Sequence, residues 1–390
     1  MPNTLPAPWV GQSRDSGLAA GPHSLLGSLL ATNPLSGGKR LHELLANSVQ
    51  RARPVFSGMT VIRAVLAGLL TVALLATPLV SEAQSRARMA RLCFITFDPG
   101  TPEAPSPRFA GFFQGLRDLG YVHGQSITIE YLVGDTRSER FPELAAQCVR
   151  EKVDVIAVTT TPAAHAVKRA TSTIPTVMVA LGDPVGTGLV ESLAHPGGNL
   201  TGMSQMTSGL AVKRLELLKQ TVPGISQVLV LTYLVDPIAP LQVAALKQAA
   251  PSLGTKLIIQ DIRTADDLPA AFEAATKEHV QGVLTTAESI FRLHRAKVTE
   301  LASRFRLPAV YPYAVFASDS GGMMAYEVND TDLHRRAAGY VDKILKGVKP
   351  AELPIQQPTE YQLIINLKTT RALGVTIPPA VLARADQVIE

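Results

Sequence analysis

Apolar residues in this chain follow two patterns, short uninterrupted runs and longer segments with an apolar residue every three or four positions. The short runs predict buried strands, and the longer segments predict amphipathic helices. From residue 91 the two alternate, as strand Arg91–Phe97, helix Phe109–Leu119, strand Ser126–Leu132 and helix Glu139–Arg150. Such alternation is typical of βαβ units that build a parallel sheet.

The same alternation continues towards the C-terminus. Further strands are predicted at Val153–Val158, Thr176–Ala180, Gln227–Tyr233, Lys256–Gln260, Gly282–Thr285, Ala309–Tyr311 and Tyr361–Leu367. Further helices are predicted at Pro162–Ala170, Leu210–Gln220, Pro240–Ala250, Asp266–Ala275, Glu288–Arg304, Asp332–Leu345 and Thr369–Leu373. Two such sets predict an α/β protein of two lobes, each a parallel sheet flanked by helices.

The stretch between the two sets contains a Gly-Gly pair and is expected to be a turn and crossover. We expect the first lobe to comprise residues 84–200 plus roughly 325–350, and the second lobe 201–324 plus roughly 351–390. The expected hinge residues are Gly197, Gly198, Asn199 and Gly202. Glycine suits a backbone that needs unusual dihedral angles, although an ordinary tight turn is the alternative interpretation.

A leader segment precedes this repeating pattern. Arg63 stands before an apolar run over 64–75, Pro78 breaks the run, and Ser81-Glu82-Ala83 supplies a small-residue cleavage pattern. This layout predicts a signal peptide over 59–83 with cleavage after Ala83 and export to the periplasm. A retained membrane anchor is the alternative, but the apolar stretch is shorter than the ~20 residues of a spanning helix. Residues 1–58 lack apolar periodicity, so we expect translation to start at Met59 and no lipid anchor to follow.

Composition changes once the leader is set apart. The whole chain has 37 Lys and Arg, 32 Asp and Glu and a net charge of +5. Residues 1–83 hold six of these bases and three of the acids, which leaves +2 for residues 84–390. Without a basic run, nucleic-acid binding loses its support. The two cysteines, Cys93 and Cys148, exclude a disulfide-dense scaffold, and they are either bridged in an oxidising compartment or buried as thiols.

Ligands of open parallel sheets bind beyond the carboxyl ends of the strands, so polar residues just after each strand are the candidate site. These candidates are Asp98, Thr159, Thr160, Thr161, Gly182, Asp183, Tyr233, Asp236, Thr286, Glu288 and Tyr313. Thr159–Thr161 precede Pro162 at a helix start, where N–H groups and hydroxyls favour an anion such as a carboxylate, or simply cap the helix. Asp183 and Glu288 suit a cationic group or, alternatively, local capping, and the tyrosines suit stacking or core packing.

Catalytic templates are absent from the sequence. It contains no GxGxxG loop after a strand, no Walker A loop, no HExxH and no GxSxG. The histidines of residues 84–390 show no paired spacing that suits a metal. We therefore expect a binding protein without cofactor or metal, rather than an enzyme.

Several blocks together resemble one family. They are Gly115–Tyr121, Thr173–Val177, Gly182–Gly186, Pro196–Gly202, Leu307–Pro312, Ile364–Thr369 and Leu382–Glu390. The combination is similar to the ABC transporter substrate-binding proteins of the tryptophan/tyrosine type. The resemblance implies a two-lobed periplasmic-binding-protein fold with a ligand cleft between the lobes. It also implies a monomer that closes around a small solute and delivers it to an inner-membrane permease, with Thr159–Thr161 holding a carboxylate and Glu288 an ammonium group.

Two other functions remain open from the sequence. A secreted α/β enzyme would use Asp98, Asp183 or Glu288 as acid or base. A sensory protein would present the same ligand to a receptor rather than to a permease.

Overall fold

Two separate β-sheets form the centres of the two lobes in the computed structural model, which describes residues 89–135 and 137–390. The first sheet contains β1 (Ala90–Thr96), β2 (Ile127–Val133), β3 (Val155–Val158), β4 (Thr176–Leu181) and β5 (Leu200–Ser204). The second contains β6 (Gln227–Thr232), β7 (Lys256–Asp261), β8 (Gly282–Thr285), β9 (Ala309–Tyr311), β10 (Met324–Val328), β11 (Tyr361–Asn366) and β12 (Gln387–Ile389). The expected leader and residues 1–58 lie outside the described residues.

Helices flank both sheets. They are α1 (Ala110–Asp118), α2 (Phe141–Arg150), α3 (Thr161–Ala170), α4 (Thr207–Thr221), α5 (Ala239–Ala249), α6 (Asp267–Lys277), α7 (Ser289–Leu293), α8 (Arg295–Arg304), α9 (Val315–Ser318), α10 (Asp330–Leu345), α11 (Leu367–Leu373) and α12 (Pro379–Leu382). Short 3-10 turns cover Pro107–Phe109, Ser138–Arg140 and Pro350–Glu352. Among the described residues, no helix is long and apolar enough to cross a membrane.

The strand order confirms the predicted α/β class. The first sheet runs β2-β1-β3-β4-β5 with every pair parallel. The second runs β12-β11-β10-β9-β8-β6-β7, and it is parallel except where β10 pairs antiparallel with β11. Parallel strands place their carboxyl ends at one edge, so each sheet presents a single set of loops to a ligand.

Each sheet is covered on both faces, as its apolar strands require. In β1, Leu92 and Phe94 enter one core cluster, whereas Cys93 and Ile95 enter the cluster on the opposite face. A disulfide joins Cys93 to Cys148 on α2, with the two Cα atoms 6.0 Å apart. The disulfide therefore ties the first strand to the helix that covers it.

The structure differs from the predicted elements in detail. β5, β10 and β12 were not predicted as strands, and the predicted helix over 288–304 divides into α7 and α8 at His294. His294 has a φ of −100° and a ψ of 23°, outside the helical range. The division separates α7, which carries Arg292, from α8.

The chain passes between the lobes three times, at positions shifted from those expected. The first passage follows Ser204, at Gln205 and Met206, and Met206 adopts a left-handed φ of 52°. The second follows Val328, because β10 belongs to the second sheet while α10 packs into the core of the first lobe. The third follows Gln356, whose N–H donates to the Gly202 carbonyl at 3.0 Å. The expected boundaries at 200, 325 and 350 therefore move to about 204, 328 and 356.

The expected hinge residues lie inside the first lobe. Gly197, Gly198 and Asn199 lead into β5, and Gly202 lies within it. Gly202 has a φ of 137°, and a Cβ there would come within 2.3 Å of the Met178 carbonyl oxygen. Glycine at 202 thus permits close strand contact, and the passage between lobes begins three residues later, at Gln205.

Candidate functional site

A cleft opens between the carboxyl ends of the two sheets. Its first-lobe wall includes Arg108, Thr159, Thr160, Thr161, Ala180, Leu181, Gly182 and Gln205. Its second-lobe wall includes Thr207, Asp236, Ile238, Ala287, Ser289 and Tyr313. The two walls therefore come from segments far apart in sequence, and loops that follow β3, β4, β6, β8 and β9 supply most of them.

The start of α3 faces the cleft on the first-lobe side. Thr160 is its N-cap, with φ −140° and ψ 150°, and its hydroxyl oxygen accepts a hydrogen bond from the Ala163 N–H at 3.4 Å. The Thr159 hydroxyl donates to the Ile95 carbonyl at 3.3 Å. The first N–H groups of a helix lack acceptors within the helix and carry its positive dipole end. This wall is consequently suited to an anion.

The end of β4 bends towards the cleft. Ala180 has a left-handed φ of 58°, and the pairing of β4 with β5 shifts between Met178 and Leu181. A non-glycine residue at positive φ stores strain that is common at binding sites. The bend carries Gly182 against the other lobe, where an added Cβ would lie 2.6 Å from Ile238 Cγ1 and 2.8 Å from Thr207 Oγ1. Glycine at 182 allows the two walls to approach this closely.

Arg108 supplies a buried positive charge to the first-lobe wall. Its side chain is only 5% exposed and forms an ion pair with Asp98, with Nη1 to Oδ2 at 3.4 Å. Its Nε is buried and has no hydrogen-bond partner. A buried donor without an acceptor costs free energy, so an acceptor from a ligand would be stabilising there.

Tyr313 reaches across from the second lobe to Arg108. The Arg108 guanidinium carbon lies 5.8 Å from the Tyr313 ring centroid, and that of Arg292 lies 5.3 Å from it. The Tyr313 hydroxyl donates to the Ala287 carbonyl at 2.7 Å. Burial raises the pKa of Tyr313, so the side chain stays neutral, and both guanidinium groups lie within cation–π distance of its ring.

Buried carboxyl groups characterise the second-lobe wall. Asp236 is 5% exposed, and its Oδ1 accepts the Ile238 N–H at 3.1 Å. Burial raises the pKa of Asp236 to about 7. Asp236 forms no ion pair among the described residues, so this wall favours a cationic group from a ligand.

Glu288 lies behind this wall rather than on it. Its Oε1 accepts from Gln242 Nε2 at 2.8 Å, and its other oxygen bonds the Thr286 hydroxyl. Gln242 Oε1 in turn accepts the Ala287 N–H at 2.9 Å. Burial, followed by the neighbouring Asp236, raises the pKa of Glu288 well above its ordinary value.

A second, deeper compartment adjoins the cleft. Its lining includes Leu210, Arg214, Pro312, Glu327, Val328 and Asp330, and it shares Gln205, Thr207, Ala287 and Tyr313 with the cleft. Glu327 accepts the Ala314 N–H at 2.7 Å and Gln362 Nε2 at 2.6 Å. Burial, followed by Asp330, raises the pKa of Glu327 to about 7.

The structure divides the eleven residues predicted from the sequence. Six line the cleft, namely Thr159, Thr160, Thr161, Gly182, Asp236 and Tyr313. The other five lie elsewhere: Asp98 pairs with Arg108, and Thr286 and Glu288 stand behind the wall. The Asp183 carboxylate accepts the Gly186 N–H at 2.9 Å, and Tyr233 packs against the second-lobe core.

Sequence reasoning missed Arg108, Gln205, Thr207 and Arg214. Arg108 lies twelve residues beyond the end of β1, too far to be collected as a strand-end residue. Gln205 and Thr207 flank the first passage between lobes, which was placed too early in the sequence. For Arg214 the available signal was a cation at a buried helical position, between Ala211 and Leu215 on the apolar face of α4.

Comparisons with known proteins find related sequences and structures. The family model for ABC transporter substrate binding proteins matches residues 103–389. A tyrosine-binding protein of Clostridioides difficile (strain R20291) is 27% identical over 263 residues, which are 67% of this chain and 75% of that protein. The crystal structure of a conserved domain protein from Vibrio cholerae superposes with a TM-score of 0.72 at 26% identity, covering 77% of this chain and 100% of that one. An ABC domain from Streptococcus pneumonia in complex with L-Trp superposes with a TM-score of 0.71 at 25% identity, covering 77% and 99%.

Proposed function

The chain belongs to the family of ABC transporter substrate-binding proteins, and from that premise we propose that it binds an amino acid in the cleft and delivers it to a membrane permease. The observation that carries the proposal is the opposed chemistry of the two walls. Arg108 and the start of α3 offer donors to a carboxylate, and Asp236 offers an acceptor to an ammonium group. A zwitterion that spans the cleft satisfies both walls at once.

An aromatic side chain is the favoured third part of this ligand. The relatives include a tyrosine-binding protein and a domain solved with L-Trp. In this chain the Tyr313 ring and Ile238 supply the apolar and aromatic surface of the cleft. Aromatic ligands gain both buried area and ring contacts from such a surface.

Ligand-driven closure is the proposed mechanism. The ligand would contact both lobes only when they approach, and only this difference in affinity can shift the equilibrium between open and closed forms. The close approach of Gly182 to Ile238 and Thr207 supports a closed form. The bend would occur at the three passages between lobes, near Gln205, Asn329 and Gln356. Small-angle scattering with and without ligand tests this, and an unchanged radius of gyration at saturation contradicts it.

Location and partners follow from the same proposal. A monomer exported to the periplasm by the 59–83 segment would exchange its ligand with an inner-membrane permease. N-terminal sequencing of the exported protein tests the cleavage after Ala83.

Ligand identity is tested most directly on freshly purified protein. Native mass spectrometry should reveal a bound small molecule with the mass of an amino acid, and isothermal titration calorimetry should show saturable binding of L-tyrosine or L-tryptophan. Recovery of the ligand unchanged after incubation separates binding from catalysis. A chemically altered product, or the failure of every amino acid to bind, contradicts the proposal.

A further inference from the structure

Arg214 is a buried cation whose hydrogen bonds are incomplete. It lies on α4, is 2% exposed, and its Nε donates to the Tyr326 carbonyl at 2.9 Å. Its Nη1 is buried and has no partner, and among the described residues no carboxylate lies within ion-pair distance of it. Burial lowers the pKa of Arg214 to about 10, so the guanidinium remains charged at neutral pH. A charged buried donor left without an acceptor is strongly unfavourable.

Arg214 lies beside the deeper compartment. Arg214 lines the space that adjoins the ligand cleft, and Thr207 lies on the wall common to both. The Thr207 hydroxyl is likewise buried without a partner. A ligand oxygen that passed Thr207 from the cleft would therefore enter the space that Arg214 lines.

The compartment also limits the charge of the group that it can accept. Glu327 and Asp330 line the same space as Arg214. Both Glu327 oxygens already accept hydrogen bonds, and one Asp330 oxygen accepts from Gln205 Nε2 at 2.5 Å. A second carboxylate on the ligand would meet like charges there, which is unfavourable. An uncharged oxygen acceptor meets the donor without that repulsion.

We infer that Arg214 marks a second acceptor-binding subsite, so that the ligand carries, besides its carboxylate, an uncharged oxygen acceptor at its far end, such as a phenol hydroxyl. This inference rests on the proposed binding of an amino acid in the cleft. It distinguishes between aromatic amino acids, which the fold alone does not do. A phenol oxygen accepts a hydrogen bond, whereas an indole N–H only donates and a phenyl ring does neither.

Ligand pairs that differ only at the far end test the inference without altering the protein. A site built to bind a ligand hydroxyl can reject the analogue that lacks it by factors of up to ~10⁴–10⁵. Titration calorimetry on the purified full chain should show L-tyrosine binding at least about 100-fold more tightly than L-phenylalanine or L-tryptophan. L-glutamate, with a second carboxylate, should bind more weakly than L-tyrosine by a similar factor.

The outcomes separate the inference from the function on which it rests. Equal affinity for L-tyrosine and L-phenylalanine, or tighter binding of L-tryptophan, overturns the inference and leaves the proposed function standing. Failure of these four and of every other amino acid to bind overturns both.

An Arg214→Met variant tests whether Arg214 causes the preference for L-tyrosine over L-phenylalanine. It should weaken L-tyrosine binding to the level of L-phenylalanine and leave L-phenylalanine binding within about threefold. Lys213→Met is the matched control, because Lys213 is the adjacent residue on α4, 37% exposed at its side chain and paired with Glu216. The control should leave both affinities unchanged. Equal losses for both ligands in the Arg214 variant would make Arg214 a structural residue with a buried water, and would overturn the inference. If that variant fails to fold, the wild-type ligand series decides alone.

Discussion

The first lobe meets the cleft with hydrogen-bond donors, Arg108 and the start of α3, whereas the second lobe meets it with the buried carboxyl group of Asp236. The difference extends behind the walls, since Asp98 balances Arg108 but no cation balances Glu288 among the described residues. On the first wall Arg108 Nε still lacks a hydrogen-bond partner, and on the second Asp236 forms no ion pair among the described residues. Under the proposed function, a ligand with opposite charges at neighbouring atoms would satisfy both walls when the lobes are closed.

The lobes also differ in how they are held together. The first has five parallel strands and the Cys93–Cys148 disulfide, whereas the second has seven strands and contains no cysteine. The disulfide fixes β1 against α2 in the lobe that supplies the donors. The turn that presents Arg108 follows β1. The comparison predicts that stability depends on the disulfide of the first lobe and on the carboxyl groups of the second, whereas affinity depends on both walls of the cleft.

Removal of the disulfide should have the largest effect. The bridge closes a loop with a sequence separation of 55, so the chain-entropy relation predicts that Cys93→Ala with Cys148→Ala lowers the free energy of unfolding by about 4 kcal/mol. Urea denaturation measures this. Hydrogen exchange should locate the lost protection in the first lobe, and a reducing agent should not change the variant further. Equal loss of protection in both lobes would contradict the prediction that the disulfide stabilises the first lobe specifically.

Arg108→Met should have the next largest effect, and on affinity. Truncation of one partner of a buried charge contact typically costs 2–5 kcal/mol, so we expect amino-acid binding to weaken on the order of a hundredfold. Arg117→Met, on the exposed face of α1, is the matched control. An unchanged affinity of the Arg108 variant in calorimetry would show that Arg108 is not a donor to the ligand.

The second-lobe carboxyl groups should make stability depend on pH. The folded pKa values of Asp236 and Glu327, about 7, and that of Glu288 exceed the values near 4 of unfolded chains, so the fold retains protons that the unfolded chain releases. The resulting stabilisation is complete below about pH 4 and is lost as pH rises through about 7. Ligand-free protein should therefore melt several degrees lower at pH 8 than at pH 5.5.

An Asp236→Asn variant sharpens the same test. Its melting temperature should change less between pH 5.5 and pH 8 than that of the wild type, because one of the groups no longer titrates. Amino-acid affinity of the wild type should rise over this range, since the ammonium group prefers the ionised carboxylate. Calorimetry and thermal melts that show the opposite slopes would contradict the assignment of acids to this wall.

Gly182→Ala should have the smallest effect. The added Cβ meets Ile238 and Thr207 only when the lobes are close, and overpacking typically costs ~1–3 kcal/mol. We expect roughly tenfold weaker ligand binding with unchanged urea stability. Gly198→Ala, where a Cβ meets nothing within 4 Å, is the control and should bind normally.

The sequence predicts those parts of the fold that depend on local pattern. Apolar runs locate β1, β3 and β6 because these strands are buried on both faces. The pattern does not reveal β5, where Gly202 and two polar residues interrupt the run, or β10, where Tyr326 and Glu327 do the same. These two strands adjoin the passages between lobes, so their absence also displaced the expected boundaries.

The candidate site shows the same division between local and distant determinants. Thr159–Thr161 are predictable because a strand end and a helix start are both encoded nearby. The direction in which Glu288 faces depends on Gln242, a residue of another helix, and the sequence alone does not reveal it. Arg108 and Arg214 enter the site only through tertiary packing.

The position of α10 in the chain has a consequence for folding. Leu333, Ala337 and Val341 of this helix complete the core of the first lobe, yet they are synthesised after β6–β10 of the second. In a growing chain α1 therefore covers one face of the first sheet only in part until residue 345 has been made. The last strands of the second lobe, β11 and β12, come later still. Contacts of such long sequence separation slow folding, so the two lobes mature together rather than in the order of their synthesis.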